Sequence, residues 1–384
     1  MSSSAIIYQN SSRSIAIIDI PKSIENSQAE TKRLLSAEPV REPFPSLEPK
    51  SSKAKANVGE HSISDLLIQK HLEFAVAEIK QNHAGPWCLP RVTDSISRCS
   101  TIAREKRKFD TKDGCQHEKA NPCSLKSQLP EKEFPNSEFL YHNDNDTFTT
   151  IKHSLHLSAS IPPRSTVLNG DILSTRSIFT QNAPKFDLIV MDPPWPNRSA
   201  RRKGGYSISN NASDISSLLR SLPLEDHIAD DGYVGVWITN KTIFRDLTME
   251  LFQLWGVEFV EEWIWLKVTC QGEPICALDS LWRKPYEILL VGKKGGSSMH
   301  EGVERRVVVG VPDLHSRKPS LKFLFEDVIQ KTPGEYQGLE IFARNLTEGW
   351  WGWGNEVLKF QEEEHWIEAT EPTTILDSSL IIHT

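Results

Sequence analysis

The second half of the chain alternates short apolar runs with helical patterns. The run at residues 186–191, FDLIVM, is apolar almost throughout, as in a strand buried on both faces of a sheet. Five further strands are predicted, at 232–239, 257–268, 286–294, 307–311 and 339–344. Helical patterns separate several of them, at 213–224, 241–255 and 319–331. The alternation predicts an α/β fold with a largely parallel, doubly wound sheet, whose ligands bind beyond the carboxyl ends of the strands.

The first of these strands runs directly into Asp192-Pro193-Pro194-Trp195. The proline rings fix two φ angles and remove two amide donors, so the turn presents carboxylate and carbonyl acceptors together. Such acceptors suit a planar exocyclic amine, whose two hydrogens they hold while the base lies against the aromatic ring. Held in this way, the nitrogen becomes pyramidal and its lone pair is freed to attack a methyl group. The alternative is a strand that simply stops at a Pro-Pro turn.

Charge and cysteine content limit the other functions. The net charge is -7, so any nucleic-acid binding requires a local basic patch. No apolar run reaches the roughly 18 residues that span a bilayer, and we expect neither a membrane segment nor a signal peptide. Six cysteines in a chain of this length form no disulfide framework, which favours a reducing compartment. We expect no metal, because no paired zinc-ligand spacing occurs among Cys99, Cys115, His117 and Cys123.

The N-terminal part of the chain has a different character. Residues 1–60 are rich in Ser, Lys, Glu and Pro, which predicts a mostly disordered tail with one short strand at 14–20. Apolar residues at helical spacing predict a helix over 61–83. The basic run at 104–108, REKRK, is either a solvated surface or a patch for phosphate contact or nuclear import.

A series of motifs extends over about half of the chain. They are PWCLPR (86–91), LNGDI (168–172), FDLIVMDPPW (186–195), Tyr206, WITN (237–240), EWIWLKV (262–268), KPYEILLVG (284–292), HSRKP (315–319) and LEIFARNL…GWWGWGNEVLKF (339–360). In content and order they resemble the eukaryotic N6-adenine methyltransferases that include the messenger-RNA m6A writer. Within that family they are most similar to the methyltransferase-like protein 4 branch. The resemblance implies a Rossmann-like fold that uses S-adenosylmethionine, with the catalytic motif placed before the main cofactor-binding segment.

The resemblance also implies roles for single residues. Its catalytic motif is Asp192, Pro193, Pro194 and Trp195. The cofactor residues that it implies are Asp171, Ile172, Asp192, Lys318, Arg344, Asn345, Asn355 and Glu356. Asp171 would contact the adenine, Asp192 the methionine amino group and Lys318 the methionine carboxylate, while the residues from 344 onward would bind ribose hydroxyls. The alternative for Lys318 and Arg344 is an ordinary surface position.

Other residues are expected to contact the substrate. Tyr206 resembles the aromatic residue that caps a flipped adenine. The preceding loop is either solvated or a clamp for the nucleic-acid backbone, and we prefer the clamp, formed by Arg198, Arg201, Arg202 and Lys203. Trp265 and Lys267 leave a strand at its carboxyl end and are expected to line the base pocket. Lys284 and Glu287 are lesser candidates, because the alternative for KPYE is a structural turn.

Together these features predict four segments, with a tail at 1–60, an accessory region at 61–155, a catalytic domain at 156–366 and a C-terminal tail at 367–384. The expected function is N6 methylation of adenine in nucleic acid by a nuclear monomer, with the cytoplasm and a protein partner left open. RNA is expected ahead of DNA, and small nuclear RNA at a 2'-O-methyl adenosine is the first candidate. The alternatives are a non-catalytic scaffold of the same family and a methyltransferase for protein amides, which usually has Asn in place of Asp192.

Overall fold

The computed structural model describes ten ranges of the chain. They are 4–29, 32–45, 62–93, 132–133, 138–154, 157–196, 212–281, 283–295, 304–332 and 334–368. The predicted backbone clamp, Tyr206, the basic run at 104–108 and the cysteine group at 99–123 lie outside the described residues.

Strands and helices alternate over most of the second half of the chain. The strands are β1 (Ile6–Gln9), β2 (Ile15–Ile18), β3 (Arg33–Leu34), β4 (Lys132–Glu133), β5 (Phe139–His142), β6 (Thr149–Ser154), β7 (Leu157–Ile161), β8 (Thr166–Asn169), β9 (Phe186–Met191), β10 (Ile228–Ile238), β11 (Val257–Lys267), β12 (Tyr286–Lys294), β13 (Glu304–Gly310), β14 (Gly338–Ile341), β15 (Trp350–Gly354) and β16 (Trp366–Ile367). The helices are α1 (Ile20–Ser27), α2 (Ile63–Asn82), α3 (Ile172–Asn182), α4 (Ala212–Arg220), α5 (Thr242–Leu254) and α6 (Lys322–Ile329). Among the described residues, no helix combines the length and the apolar character needed to cross a membrane.

One mixed sheet of eleven strands organises the molecule, in the order β1-β2-β13-β11-β12-β10-β9-β14-β15-β8-β5. The five strands β10, β9, β14, β15 and β8 are all parallel neighbours. The predicted α/β class is confirmed, but the sheet is less parallel than expected. β12 runs antiparallel to both β10 and β11, because the described residues between β11 and β12 form no crossover helix that would return the chain to the same direction.

Helices cover both faces of this sheet. The core on one face includes residues of α2, α3, α4 and α5, and the core on the other includes residues of α1 and α6. The six strands and four helices predicted from apolar patterning are all present, with ends that differ by a few residues. β8 and β15 were not predicted, and the short sheets β16-β3 and β4-β6-β7 were not predicted either.

The N-terminal segment corrects one expectation. Residues 4–29 and 32–45 are part of the fold, whereas the sequence predicts a mostly disordered tail. The predicted strand is confirmed as β2, which is fully buried and pairs in parallel with β13. Asp19 then caps α1 by accepting from the Lys22 amide, with Pro21 in the first turn. The expectation of disorder rested on the average composition of residues 1–60, although the short apolar run at 15–18 is long enough to add a strand to the sheet. The boundaries of the four predicted segments stay predictions.

The centre of the sheet contains a switch in chain direction. After β9 the chain returns through α4 to β10 on one side, and after β14 it continues to β15 on the other side. β9 and β14 are adjacent, so their connections diverge and leave a crevice beyond their carboxyl ends. Ligands of open α/β sheets bind in crevices of this kind.

Candidate active site

Asp192 lies at the mouth of this crevice, directly after β9. Its Oδ2 atom is 3.2 Å from Nζ of Lys318, on the connection that leads into α6. The same oxygen accepts a hydrogen bond from Nη1 of Arg344, at 3.3 Å, just beyond β14. The three side chains are partly buried, with about a fifth of each exposed. Three predicted site residues, distant in sequence, therefore meet at one carboxylate.

The ion pairs continue beyond Lys318. Its Nζ donates to Oε2 of Glu287 at 2.6 Å, and the other oxygen of Glu287 accepts from Lys267. Burial alone would raise the pKa of Glu287, but the two ammonium groups lower it to about 2. Burial opposes the charge of Lys318, yet Asp192 and Glu287 outweigh it and raise its pKa. Glu287, a lesser candidate from sequence, therefore pairs with two lysines beside Asp192.

The chain of charges extends equally beyond Arg344. Its Nε donates to Oε2 of Glu356 at 2.9 Å, and Lys359 donates to the other oxygen at 2.7 Å. Burial favours the neutral carboxyl, but Lys359 and Arg344 lower the pKa of Glu356. Acids and bases thus alternate along one edge of the sheet, from Lys267 to Lys359. We call this set of seven side chains the ionic chain: Lys267, Glu287, Lys318, Asp192, Arg344, Glu356 and Lys359.

Glu340 is a site residue that the sequence analysis missed. It lies in β14, in register with Val190 of β9, while its neighbours Leu339 and Ile341 belong to the core of the opposite face. Burial raises its pKa to about 7, the charge of Asp192 adds to the effect, and Arg344 opposes it. An acid inside the apolar run LEIF, beside the switch point, is the signal that would have pointed to it.

Comparison with known proteins identifies the family of this chain. The MT-A70 family model matches residues 186–356, which include most of the ionic chain. Over 382 residues the chain is 40% identical to the N6-methyladenosine RNA methyltransferase MTA1 of Cryphonectria parasitica, covering 95% of both proteins. The chain belongs to the MT-A70 family. It is thereby an N6-adenine methyltransferase, as the resemblance predicts.

Two further relatives match a smaller part of the chain. The N(6)-adenine-specific methyltransferase METTL4 of Homo sapiens is 37% identical over 237 residues, which are 58% of this chain and 48% of that protein. A DNA N6-methyl methyltransferase of Caenorhabditis elegans is 33% identical over 207 residues, which are 53% of this chain and 54% of that protein. The MT-A70 relatives therefore include proteins named for RNA and for DNA.

Trp195 differs from its expected role in this MT-A70 protein. Its side chain is only 5% exposed, and its ring packs 4.5 Å from that of Phe244, centroid to centroid. Its Nε1 atom donates to the carbonyl oxygen of Trp237 at 2.7 Å, and its amide donates to the Pro193 carbonyl, also at 2.7 Å. The ring is therefore an anchor for the turn rather than the open stacking wall that was predicted. The short turn aims the indole back at α5, where the core buries it.

Trp265 and Lys267 lie at the same edge as the ionic chain. Trp265 is 3% exposed and meets Trp237 edge to face, with ring centroids 6.1 Å apart. Nζ of Lys267 lies 4.6 Å from the Trp265 ring centroid, and Nζ of Lys318 lies 5.9 Å from it. The burial of Trp265 leaves little of its ring for a base. Lys267 is the more accessible of the two predicted pocket residues, with 22% of its side chain exposed.

The predicted adenine contacts lie on the other side of the crevice. Asp171 caps α3, because its Oδ1 accepts from the Leu173 amide at 2.9 Å and from the Ser174 amide at 3.4 Å. Ile172 is 2% exposed and packs in the core, so its side chain offers no contact to a ligand. Helix capping accounts for Asp171 and core packing for the side chain of Ile172, and the cofactor roles of both residues stay predictions.

Asn345 and Asn355 follow the ends of β14 and β15. Asn345 is partly buried and Asn355 is exposed, so the second amide is open to solvent at the crevice. Lys284, by contrast, is outside the cluster. Its Nζ lies 3.5 Å from Oδ1 of Asp65 in α2, which supports the alternative that KPYE is a structural turn.

Proposed function

We propose that this MT-A70 protein transfers a methyl group from S-adenosylmethionine to the N6 amine of adenine in RNA. The observation that carries the proposal is the position of Asp192, at the carboxyl end of a central strand, at the switch point and between two cations. The match to the Cryphonectria parasitica protein over 95% of both chains supports RNA as the substrate.

The side chains at the crevice fit the proposed cofactor. Its methionine end carries an ammonium and a carboxylate, and Asp192 complements the first while Lys318 complements the second. Arg344 would bind ribose hydroxyls. Asn345, Asn355 and Glu356 are then available for ribose hydroxyls. The backbones at the ends of β14 and β15 approach closely, since a Cβ on Gly354 (φ +152°) would lie 3.3 Å from Cα of Phe342. Glycine at this position therefore keeps side-chain atoms out of the space between the two strand ends.

S-adenosylmethionine would supply an electrophilic methyl group when bound. The residues of this chain would prepare the nucleophile. Asp192 would accept one hydrogen of the N6 amine, and the carbonyl of Pro193 would accept the other with the lone pair that the Trp195 amide does not use. The positive charge that develops on nitrogen strengthens its hydrogen bond to a carboxylate, so these acceptors stabilise the transition state more than the ground state.

The substrate is proposed in more detail from the sequence. Small nuclear RNA carrying a 2'-O-methyl adenosine is the first candidate. DNA is the second, because a relative from Caenorhabditis elegans is named for it. Tyr206 would cap the flipped base and Lys267 would line its pocket, with backbone phosphates clamped by Arg198, Arg201, Arg202 and Lys203. We further propose that the enzyme acts as a monomer in the nucleus, with the cytoplasm as the alternative.

A transfer assay tests the proposal. Purified protein receives tritium-labelled S-adenosylmethionine with small nuclear RNA, messenger-RNA-like RNA or single-stranded DNA, and mass spectrometry identifies the labelled nucleoside. Asp192→Ala should abolish transfer while the protein stays folded. Asp187→Ala is the matched control, since Asp187 lies at the opposite end of the same strand and pairs with Lys331.

The outcomes separate the alternatives. Label on N6 of adenine in RNA supports the proposal, and label only in DNA replaces the substrate. Label in protein amides would favour the amide methyltransferase. Full activity in Asp192→Ala would refute the mechanism. A protein that binds no cofactor and transfers no label would be the non-catalytic scaffold.

A further inference from the structure

The connection at 311–318, between β13 and α6, brings Lys318 into the ionic chain. Just before Lys318, the non-glycine residue Ser316 has φ +70°, in the left-handed region. Such a conformation costs free energy and persists only where neighbouring groups hold it. The Ser316 carbonyl accepts from Nη1 of Arg344 at 3.4 Å, which is one such restraint. The other restraints come from outside the crevice.

Asp313 is the centre of these restraints. Its side chain is fully buried, and its Oδ2 accepts from Nη1 of Arg317 at 2.6 Å. Its Oδ1 accepts from the Ala37 amide at 2.7 Å and lies 3.8 Å from Nη1 of Arg91. Arg317 also donates to the Leu35 carbonyl at 2.8 Å. The residue before Lys318 is therefore tied to the N-terminal part of the chain.

Arg91 hydrogen-bonds directly to the backbone of the same connection. Its side chain is 1% exposed. Nη2 donates to the Val311 carbonyl at 2.7 Å, and Nη1 donates to the carbonyls of Pro312 at 2.8 Å and Ala37 at 3.2 Å. A planar guanidinium can reach several carbonyls at once, which the ammonium of a lysine cannot reproduce.

The segment that carries Arg91 is itself fixed. The Leu89 amide donates to Oδ2 of Asp19 at 2.9 Å, and the Val92 carbonyl accepts from the Ser36 amide at 2.8 Å. Trp87 packs so closely on Gly272, at φ +80°, that a Cβ there would lie 2.2 Å from its indole. A rigid frame thus supports the connection at 311–318, and all of this frame except Gly272 precedes residues 186–356, the part that the family model matches.

We propose that Arg91 is a positioning residue for Lys318, so that the N-terminal region sets the affinity of the MT-A70 crevice for the methionine carboxylate of the cofactor. Arg91 touches neither substrate nor cofactor in this proposal. It fixes the backbone at 311–312 and, with Asp313, the turn from which Lys318 projects. The inference rests on the proposed contact between Lys318 and the cofactor.

Charge balance selects the variant. Two guanidinium groups share the one carboxylate of Asp313, so replacing Asp313 would leave two buried cations uncompensated and would destabilise the fold. Replacing Arg91 leaves Asp313 and Arg317 as a balanced pair. Arg91→Met therefore removes the restraint while keeping the ion pair of Asp313 and Arg317, and its melting temperature checks that the protein is folded.

A control residue, Arg33 of β3, holds the same segment from another side. Arg33 donates from Nη2 to the Pro90 carbonyl at 2.9 Å but has no hydrogen bond to the connection at 311–318 among the described residues. Calorimetry with S-adenosylmethionine on the full chain should show affinity weakened about tenfold or more in Arg91→Met, because small misplacement of a binding group is costly. Arg33→Met should leave it unchanged, and Arg91→Lys should fall between Arg91→Met and wild type. Binding of an RNA oligonucleotide should be the same in all of them.

Lys318→Met distinguishes the proposed cofactor contact of Lys318 from the positioning role of Arg91. If Lys318→Met weakens cofactor binding and Arg91→Met does not, the positioning role is wrong and the proposed function stands. If Arg33→Met and Arg91→Met weaken it equally, the effect is general destabilisation and the positioning role is again wrong. If Lys318→Met leaves the affinity unchanged, the proposed cofactor contact fails first.

Discussion

Glu340 and Glu287 lie at the same edge of the sheet, and their carboxyls are perturbed in opposite directions. Burial and the charge of Asp192 raise the pKa of Glu340 from its ordinary 4.5 to about 7. Glu287 is partly buried, but Lys318 and Lys267 lower its pKa to about 2. Replacing each by glutamine should therefore change the pH dependence of stability with opposite signs.

The sign for Glu340 follows from linkage. A folded-state pKa above the unfolded value favours folding below pH 4.5, and this contribution is lost as the pH rises through about 7. The interval between 4.5 and about 7 corresponds to about 3 kcal/mol. Glu340→Gln does not ionise and escapes this loss. The difference in free energy of unfolding between this variant and the wild type should therefore increase by about 3 kcal/mol, in favour of the variant, as the pH rises from 4.5 to 8.

Glu287→Gln is the opposite case. A folded-state pKa below the unfolded value contributes stability that is present above pH 4.5 and is lost as the pH falls toward 2. At pH 7 this variant should be less stable than the wild type by about 3 kcal/mol, and the difference should shrink below pH 4.5.

Urea denaturation of the full chain without added cofactor measures both effects. The free energy of unfolding is determined at intervals from about pH 2 to pH 8 for the wild type and the two variants. A difference between Glu340→Gln and wild type that does not change with pH would refute the reasoning for Glu340. A difference for Glu287→Gln that grows on acidification would refute the assignment of its two cation partners.

Three further predictions concern the site and its supports. Asn355→Ala should weaken cofactor binding by calorimetry without lowering the melting temperature, because Asn355 is exposed, and an unchanged affinity would remove it from the site. Trp195→Phe loses the hydrogen bond to the Trp237 carbonyl and should cost about 1 kcal/mol of stability, so an unchanged melting temperature would contradict the anchoring role. Neutralising Arg201, Arg202 and Lys203 together should weaken RNA binding. It should also reduce the slope of log K against log salt concentration by about 0.7 for each lost phosphate contact. An unchanged slope would contradict the proposed clamp.

Much of the fold was predictable because buried strands carry a strong local signal. The runs at 186–191 and 286–294 are apolar enough to be recognised without tertiary information, and both are strands. β15 was missed because its sequence, WWGWG, mixes tryptophan with glycine and lacks the apolar pattern of a strand. Glycine is needed at 352 because a Cβ there would lie within 3 Å of the side chains of Leu346 and Val357. A glycine required by a neighbour has no signature in its own segment.

The site was predicted where chain order and sheet geometry coincide. Asp192 directly follows a buried strand, so a rule about strand ends was enough to predict it, whereas Lys318 and Arg344 were predicted through the family resemblance. Glu340 and the partners of Asp313 obey no such rule. The perturbed pKa of Glu340 depends on which strand lies beside β14, and the role of Arg91 depends on a connection more than 200 residues away in sequence. Pairings of this kind are decided by topology, which the local sequence does not encode.

The ionic chain also explains how a carboxylate can stand ready at the end of a buried strand. An isolated charge there would cost several kcal/mol, and Asp192 avoids this cost because Lys318 and Arg344 compensate it from two different connections. Each cation is held in turn by a second carboxylate, Glu287 or Glu356, so neither depends on Asp192 alone. A zwitterion that brings its own ammonium and carboxylate can therefore exchange one set of ion pairs for another without leaving any charge unpaired. The alternation of charges, rather than any single residue, is what suits this edge to the methionine end of the proposed cofactor.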